Sequence, residues 1–333
     1  MPVVVGIGVV LGVSVAPAWA AQLEAFASVE AGHAGSCITG PVFLPGGDPY
    51  SGSYGIPADF QACGFSADSG VADHVVSTGT ASANWMASDA MFSGLAEAHA
   101  SYGSVGASAS GTSTRQGNFL GNASGAFGVF TDTLLVTSAT HGTGANGSVV
   151  FEFAVDGQLA VDNGDFDPQV QILLGHADAL LAVRLGTQLA NVFRAQSTLF
   201  GNQAPSTNPP GAAGFTATQG ATGWTLDGST TAQTGKLPIQ FGTPVVFTAG
   251  LLAEAYPQTA SAATGAASVD FFTTATLTGI QVFDVLQQPV DDAQVSAESG
   301  TQYVPEADPD WAALGAGMTL LGVRTRKRRS AFR

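Results

Sequence analysis

The chain has 333 residues, enough for one large domain or two medium ones with a genuine core. Hydrophobic residues make up 45% and charged residues 11%, against an ordinary charged share of about 25%, so the chain holds too many core-forming residues to be intrinsically disordered. The formal net charge of −15 argues against a nucleic-acid binder, which needs a basic face, and two cysteines are too few for a disulfide-dense miniprotein or a four-cysteine zinc site.

Residues 1–20, MPVVVGIGVVLGVSVAPAWA, form an apolar run ending in Ala18-Trp19-Ala20. A small-x-small end after an apolar stretch predicts a helical signal peptide that signal peptidase removes. No basic residue precedes Glu24, so the expected start lies upstream of Met1. A buried apolar strand is the competing interpretation.

Cys37 and Cys63 enclose a 27-residue loop. In an oxidising compartment they are expected to pair, with a chain-entropy gain of roughly 3.5 kcal/mol; free thiols are the alternative. The same region, Gly40 to Gly70, is rich in glycine, proline and aromatics. Its GGDPYSGSYG run places Tyr50 and Tyr54 outside any easy core strand. With Trp85 and Trp224 they are candidate stacking platforms for sugars, set against ordinary core packing.

Period-two patterning follows. Gly147 to Val155 reads as a strand, and Asp156-Gly157 reads as a hairpin turn after it. Thr133 to Thr137, Ala179 to Leu185 (or a short helix there) and Ala190 to Phe200 read as further strands. Leu237 to Leu252, Ala267 to Thr278 and Gly279 to Val285 close the set. Between them, Asp156, Asp162, Asn163, Asp165 and Asp167 concentrate oxygen ligands. Asp162, Asp165 and Asp167 are the candidate calcium ligands, since calcium takes six to eight oxygens; a solvated turn explains the same residues. Asn202 to Gly214 is proline-rich and reads as a long loop within one sandwich or as a domain boundary. No strand–helix alternation supports a parallel sheet. The expected fold is therefore all-β: an antiparallel β-sandwich over residues 21–303, jelly-roll-like, with a signal helix before it and a short apolar helix after it.

Catalytic motifs are sparse. His33, His74, His99, His141 and His176 show no HExxH spacing. No GxSxG elbow follows the first twenty residues, and no GxxxxGK[ST] phosphate loop occurs. A triad can still assemble from distant residues.

The last thirty residues are VPEADPDWAALGAGMTLLGVRTRKRRSAFR. Six of the ten basic residues lie in the last ten positions, whereas Ala21 to Val323 has four basic against 25 acidic residues. A Pro-Glu step, the apolar segment Trp311–Val323 and a basic cluster follow one another. As a helix the apolar segment is roughly 20 Å long, against a hydrocarbon core of ~30 Å, so spanning requires its flanks or a thinned bilayer. The basic end would stay cytoplasmic.

This tripartite tail resembles the PEP-CTERM sorting signal of Gram-negative bacteria. Val304, Pro305, Glu306, Arg324, Arg326, Lys327, Arg328 and Arg329 carry the resemblance. Ala307 departs from it, standing where the family usually has a second proline. The stretches Ser268 to Asp284 and Ser296 to Tyr303 are similar to the closing strands of such proteins, and Ala96 to Gly111 to their early strands. The resemblance implies processing by signal peptidase and an exosortase, transient anchoring in the inner membrane, and display at the cell surface or in its polysaccharide matrix. It implies no catalytic residue and no cofactor. The expected function is a non-catalytic surface or matrix protein associated with exopolysaccharide and biofilm. A carbohydrate-binding module and a secreted hydrolase are the alternatives.

Overall fold

Small or apolar residues alternating with polar ones give each strand one face to bury and one to leave outside. In chain order the strands are β1 (Gln22–Ala31), the short pair β2 (Val42–Phe43) and β3 (Pro49–Tyr50), β4 (Ala72–Ser77), β5 (Ala81–Ser88), β6 (Phe92–Ser101), β7 (Ser104–Ser113), β8 (Asn122–Thr137), β9 (Asn146–Asp162), β10 (Gly175–Leu185), β11 (Gln188–Thr198), β12 (Ser206–Asn208), β13 (Phe215–Gln219), β14 (Gly223–Gln233), β15 (Leu237–Gln240), β16 (Val245–Pro257), β17 (Gly265–Asp284) and β18 (Gln294–Ala297). The structure is a computed structural model. It describes residues 21–31, 42–43, 49–50, 72–114, 122–162, 175–198, 204–209, 212–257 and 264–303.

Two eight-stranded antiparallel sheets account for all but β2 and β3. Sheet I runs β12-β11-β10-β16-β8-β1-β4, with β18 also beside β8. Sheet II runs β13-β14-β9-β17-β7-β6-β5, with β15 also beside β9. The sheets stack face to face in the same lateral order: β10 lies over β17, β16 over β7, β8 over β6 and β7, and β1 over β6 and β5. The fold is thus all-β and antiparallel, with no helix among the described residues, and a sandwich fits it.

The space between the sheets is filled unevenly. Towards β4 and β5 it is lined by Ala25, Ala27, Ala81, Ala83, Ala96, Ala98, Ala107 and Ala109, all buried. Towards β9, β16 and β17 it is filled by Phe151, Phe153, Phe247, Phe271, Leu159 and Leu181. Phe151 stacks on Phe247 at 4.2 Å between centroids, and Phe130 meets Phe247 edge-on at 5.5 Å. At the thin side the backbones themselves touch. A Cβ on Gly128 of β8 would collide with the His99 carbonyl oxygen of β6 in the other sheet and stand 2.9 Å from that of Gly106.

Several boundaries depart from the sequence expectation. Asp156-Gly157 makes no turn; it lies inside the 17-residue β9, paired with β14 on one side. The glycine serves packing, because a Cβ there would come within 2.5 Å of the Phe271 ring. Leu237 to Leu252 divides into β15 and β16 at a turn where Gly242 has φ +70°. The two strands expected across Ala267 to Val285 are one 20-residue strand, whose pairing shifts register between Phe271 and Ala275. Ala179 to Leu185 is strand, part of β10, and not helix. The proline-rich Asn202 to Gly214 contributes the three-residue β12.

Candidate functional site

The residues singled out from sequence do not converge. Trp85 and Trp224 are both half-buried against the core, and Trp85 Nε1 is buried without a hydrogen-bond partner. They sit on β5 and β14, five strand spacings apart in sheet II, or roughly 24 Å at ~4.8 Å per spacing. Tyr50 belongs to β3; its side chain and all of Tyr54 lie outside the described residues. Asp162 is exposed at the end of β9, opposite Gly223 and Ala266. Asp156 is six residues back on the same face, roughly 20 Å along the strand. Asp165 and Asp167 lie outside the described residues, among which no group of His, Cys, Asp and Glu is placed to hold a metal ion. Cys37, Cys63 and the sorting residues Val304, Pro305, Glu306, Arg324, Arg326, Lys327, Arg328 and Arg329 also lie outside them. No described helix is long and apolar enough to cross a membrane.

The structure instead assembles three polar clusters. The first is on the outer face of sheet I. Asp178 of β10 stands directly opposite Glu254 of β16 in the ladder. The two carboxyl residues are 1% and 2% exposed, so their charges are taken almost wholly out of water. Arg194 of β11 closes on Asp178 with Nη2–Oδ2 at 2.8 Å and Nε at 3.2 and 3.3 Å from the two oxygens. His176 Nε2 lies 3.6 Å from the same carboxylate, and its ring is 5.7 Å from that of Tyr256. Burial pushes the Glu254 carboxyl well above the ordinary range, and the negative charge of Asp178 adds to it. Arg194 and a hydrogen bond with Tyr256 pull weakly the other way. Glu254 Oε1 has no hydrogen-bond partner. One guanidinium therefore serves two adjacent acids, and the second acid is held towards its neutral form.

The second cluster fastens the end of the body. Asp132 of β8 is fully buried. It accepts hydrogen bonds from the Thr133 amide at 2.9 Å, the Ser299 amide at 3.1 Å, the Ser299 hydroxyl at 2.5 Å and the Tyr303 hydroxyl at 3.1 Å. β18 pairs with β8 just before these contacts. Tyr303 is buried and meets Phe247 edge-on at 6.5 Å. Burial raises its phenol far above the ordinary value, and Asp132 raises it further, so it stays a neutral donor.

The third cluster holds a serine, a histidine and an aspartate, but not in the order acyl transfer needs. The Ser138 hydroxyl donates to Asp292 at 2.9 and 3.1 Å, and the Thr140 hydroxyl donates to it at 3.0 Å. Both hydroxyl oxygens lie within 3.2 Å of the same His141 nitrogen, Nδ1. In a nucleophilic triad the acid orients the histidine, and the histidine takes the serine proton. Here the acid accepts the hydroxyl hydrogen bonds directly. Asp292 also accepts from the Thr140 amide at 2.9 Å, so it caps the turn at residues 138–141. Desolvation works to raise its carboxyl; the hydrogen bonds outweigh this and hold it below the usual range. His141 stacks on Phe241 at 5.0 Å.

None of these three clusters was singled out from the sequence. Asp178 and Glu254 do leave a trace: each is the one acid in a mostly apolar strand, HADALLAVRL and VVFTAGLLAEAYP. Compared with protein-family models, with curated proteins and with solved structures, the chain finds no match.

Proposed function

We propose that the protein is an exported, non-catalytic component of the cell surface or extracellular matrix, sorted by an exosortase-type system and associated with exopolysaccharide in a biofilm. Its two stacked antiparallel sheets would form a jelly-roll-like sandwich. The tail would carry it transiently in the inner membrane before release.

The observation that carries this reading is the Asp132 cluster. It fixes Ser299 and Tyr303 to the body by buried hydrogen bonds. The next residues are Val304, Pro305 and Glu306. The Pro-Glu step therefore follows directly on a fastened segment, where a processing enzyme would meet an anchored body on one side and the tail on the other. The acidic body, with four basic residues against 25 acidic ones from Ala21 to Val323, suits a soluble surface component that repels its own copies at long range. The Ser138–His141–Asp292 wiring supports a structural role for the one serine–histidine–aspartate grouping described.

The test is the intact mass and cell fraction of the native protein, beside a variant lacking residues 304–333. The expected mature species lacks the first twenty residues and the basic tail, and is found on or outside the cell. The variant is expected to be exported but mislocalised. Full-length protein in the cytoplasm, with the variant in the same place, would overturn the reading.

A further inference from the structure

The two outer faces of the sandwich differ in a way the described strands do not explain. A sheet with one face in water alternates apolar and polar residues, whereas burial on both faces gives near-continuous apolar runs. Sheet II follows the first pattern, as in ASANWMAS and SVGASASGTS. On its outer face Met86 is 71% exposed, and Asp156, Gln158 and Asp270 are exposed too. Sheet I follows the second, with ALLAV in β10 and VVFTAGLLA in β16. On its outer face Val129 is 1% exposed, Leu180 3% and Glu24 4%, beside the buried Asp178 and Glu254. Phe26 and Phe127, directly opposite each other there on β1 and β8, both have further partners. Yet the substantial contacts between described strands lie within a sheet or between the two inner faces.

One segment has the length, the composition and the anchorage to cover that face. β1 and β4 are antiparallel neighbours, with Ser28 opposite Ala72, so a turn of a few residues would join them. The chain instead places residues 32–71 between them, 40 residues in all. Their β2 and β3 pair with each other and with neither large sheet. The segment carries Val42, Phe43, Leu44, Ile56, Phe60 and Phe65 against three acids and no Lys or Arg, which is not the make-up of a solvated loop. It also begins and ends where cover is needed. Asp178, Glu254, Gly125, Ser28 and Ala72 stand in one ladder row across five strands. The segment leaves β1 after Ala31 and returns at Ala72. By contrast, the shorter 115–121, 163–174 and 258–263 each carry the chain from one sheet to the other.

We propose that residues 32–71 form a third layer on the outer face of sheet I, laying apolar side chains over Phe127, Val129, Leu180 and Leu252 and keeping water from Asp178 and Glu254. Apolar groups on the face and on the segment leave water together, which offsets the entropy lost in ordering so long a connection. The layer also accounts for Glu254 Oε1, which is buried without a hydrogen-bond partner; on an open face water would reach it. This inference does not depend on the surface-protein reading, because the segment stays in the chain whether or not the two ends are removed.

The experiment is hydroxyl-radical footprinting read by mass spectrometry. It compares the full chain with a variant in which a short Gly-Ser turn replaces residues 32–71. Leu180 and Leu252 are expected to resist labelling in the full chain and to lose that protection in the variant. Met86, on the open face of sheet II, reports that the sandwich is intact and should label equally in both. A variant lacking residues 1–20 and 304–333 should keep the protection. Leu180 and Leu252 labelled alike with and without residues 32–71 would overturn the proposal, and so would protection lost with the two chain ends. If the shortened variant does not fold, the full chain with p-benzoylphenylalanine in place of Phe127 decides instead. Irradiation is expected to cross-link that position to peptides from residues 32–71; no cross-link to that segment would overturn the proposal.

Discussion

The two sides of the sandwich bury their faces by different means. On the side of β9, β16 and β17, stacked phenylalanines and leucines hold the sheets apart and fill the gap. On the side of β1, β5, β6 and β7, alanine takes most of the inward positions, beside Leu23, Val29, Phe92 and Val105, and backbone meets backbone at Gly128. An alanine buries far less apolar area than a phenylalanine, so per residue the thin side gains less from leaving water. Its compensation is close approach, which gives each small side chain and exposed peptide edge many near neighbours. The lesson is that period-two alternation alone specifies a buried face; residue size then sets how far apart the sheets lie.

The largest expected effect breaks the thick side. Phe151→Ala removes one partner of the 4.2 Å stack and leaves a cavity that Phe247 cannot fill. A loss of about 3–5 kcal/mol is expected from chemical denaturation. The matching truncation on the thin side, Ala98→Gly, removes a single methyl and should cost about 1 kcal/mol. Equal losses would show that the two sides do not differ in the way proposed.

The next effect reverses the direction. Gly128→Ala adds one methyl on the thin side, where it meets the His99 carbonyl oxygen. Backbone cannot rotate aside as a side chain can, so the sheets must part locally. The expected cost is about 1–3 kcal/mol. Faster amide exchange in β6 and β8, measured with the denaturation midpoint, would locate the strain. Unchanged stability would mean that the sheets have slack there and that alanine content does not mark a tight contact.

Much of this was legible beforehand. The alternation in Gly147 to Val155 gave its strand correctly, and the small-residue run Ala96 to Gly111 lies in β6 and β7 around the turn at Gly103. What misled was glycine and chain continuity. Asp156-Gly157 has the chemistry of a turn, but its neighbours pair on both sides and Phe271 occupies the space above the glycine. Leu237 to Leu252 carries its break in Gly242-Thr243-Pro244, and the chain turns there between β15 and β16. The polar clusters were less legible still. Asp132 and Tyr303 are 171 residues apart, and no local pattern joins them. Asp178 and Glu254 occupy outward positions in their strands, where acids are ordinary; their burial depends on what surrounds that face.

That outer face sharpens the comparison once more. The ladder row through Asp178 and Glu254 on the thick side continues through Gly125 and Ser28 towards the thin side. Glu24 of β1 is also buried on this face over the thin side, but the directly opposed acids Asp178 and Glu254 lie over the phenylalanine core, and Glu254 is where pH should act on stability. The folded pKa of Glu254 is raised above its ordinary value of 4.5. Such a group favours the folded state most fully below the unfolded pKa, and the advantage is lost as pH rises towards the folded pKa. Above about pH 4.5 the unfolded chain gives up this proton while the folded one must keep it or bear a buried charge beside Asp178. Glu254→Gln removes the titration and keeps the shape. The variant should match wild type in melting temperature near pH 4 and exceed it increasingly as pH rises towards 8. A constant difference at all pH values would mean that Glu254 ionises freely in the folded protein.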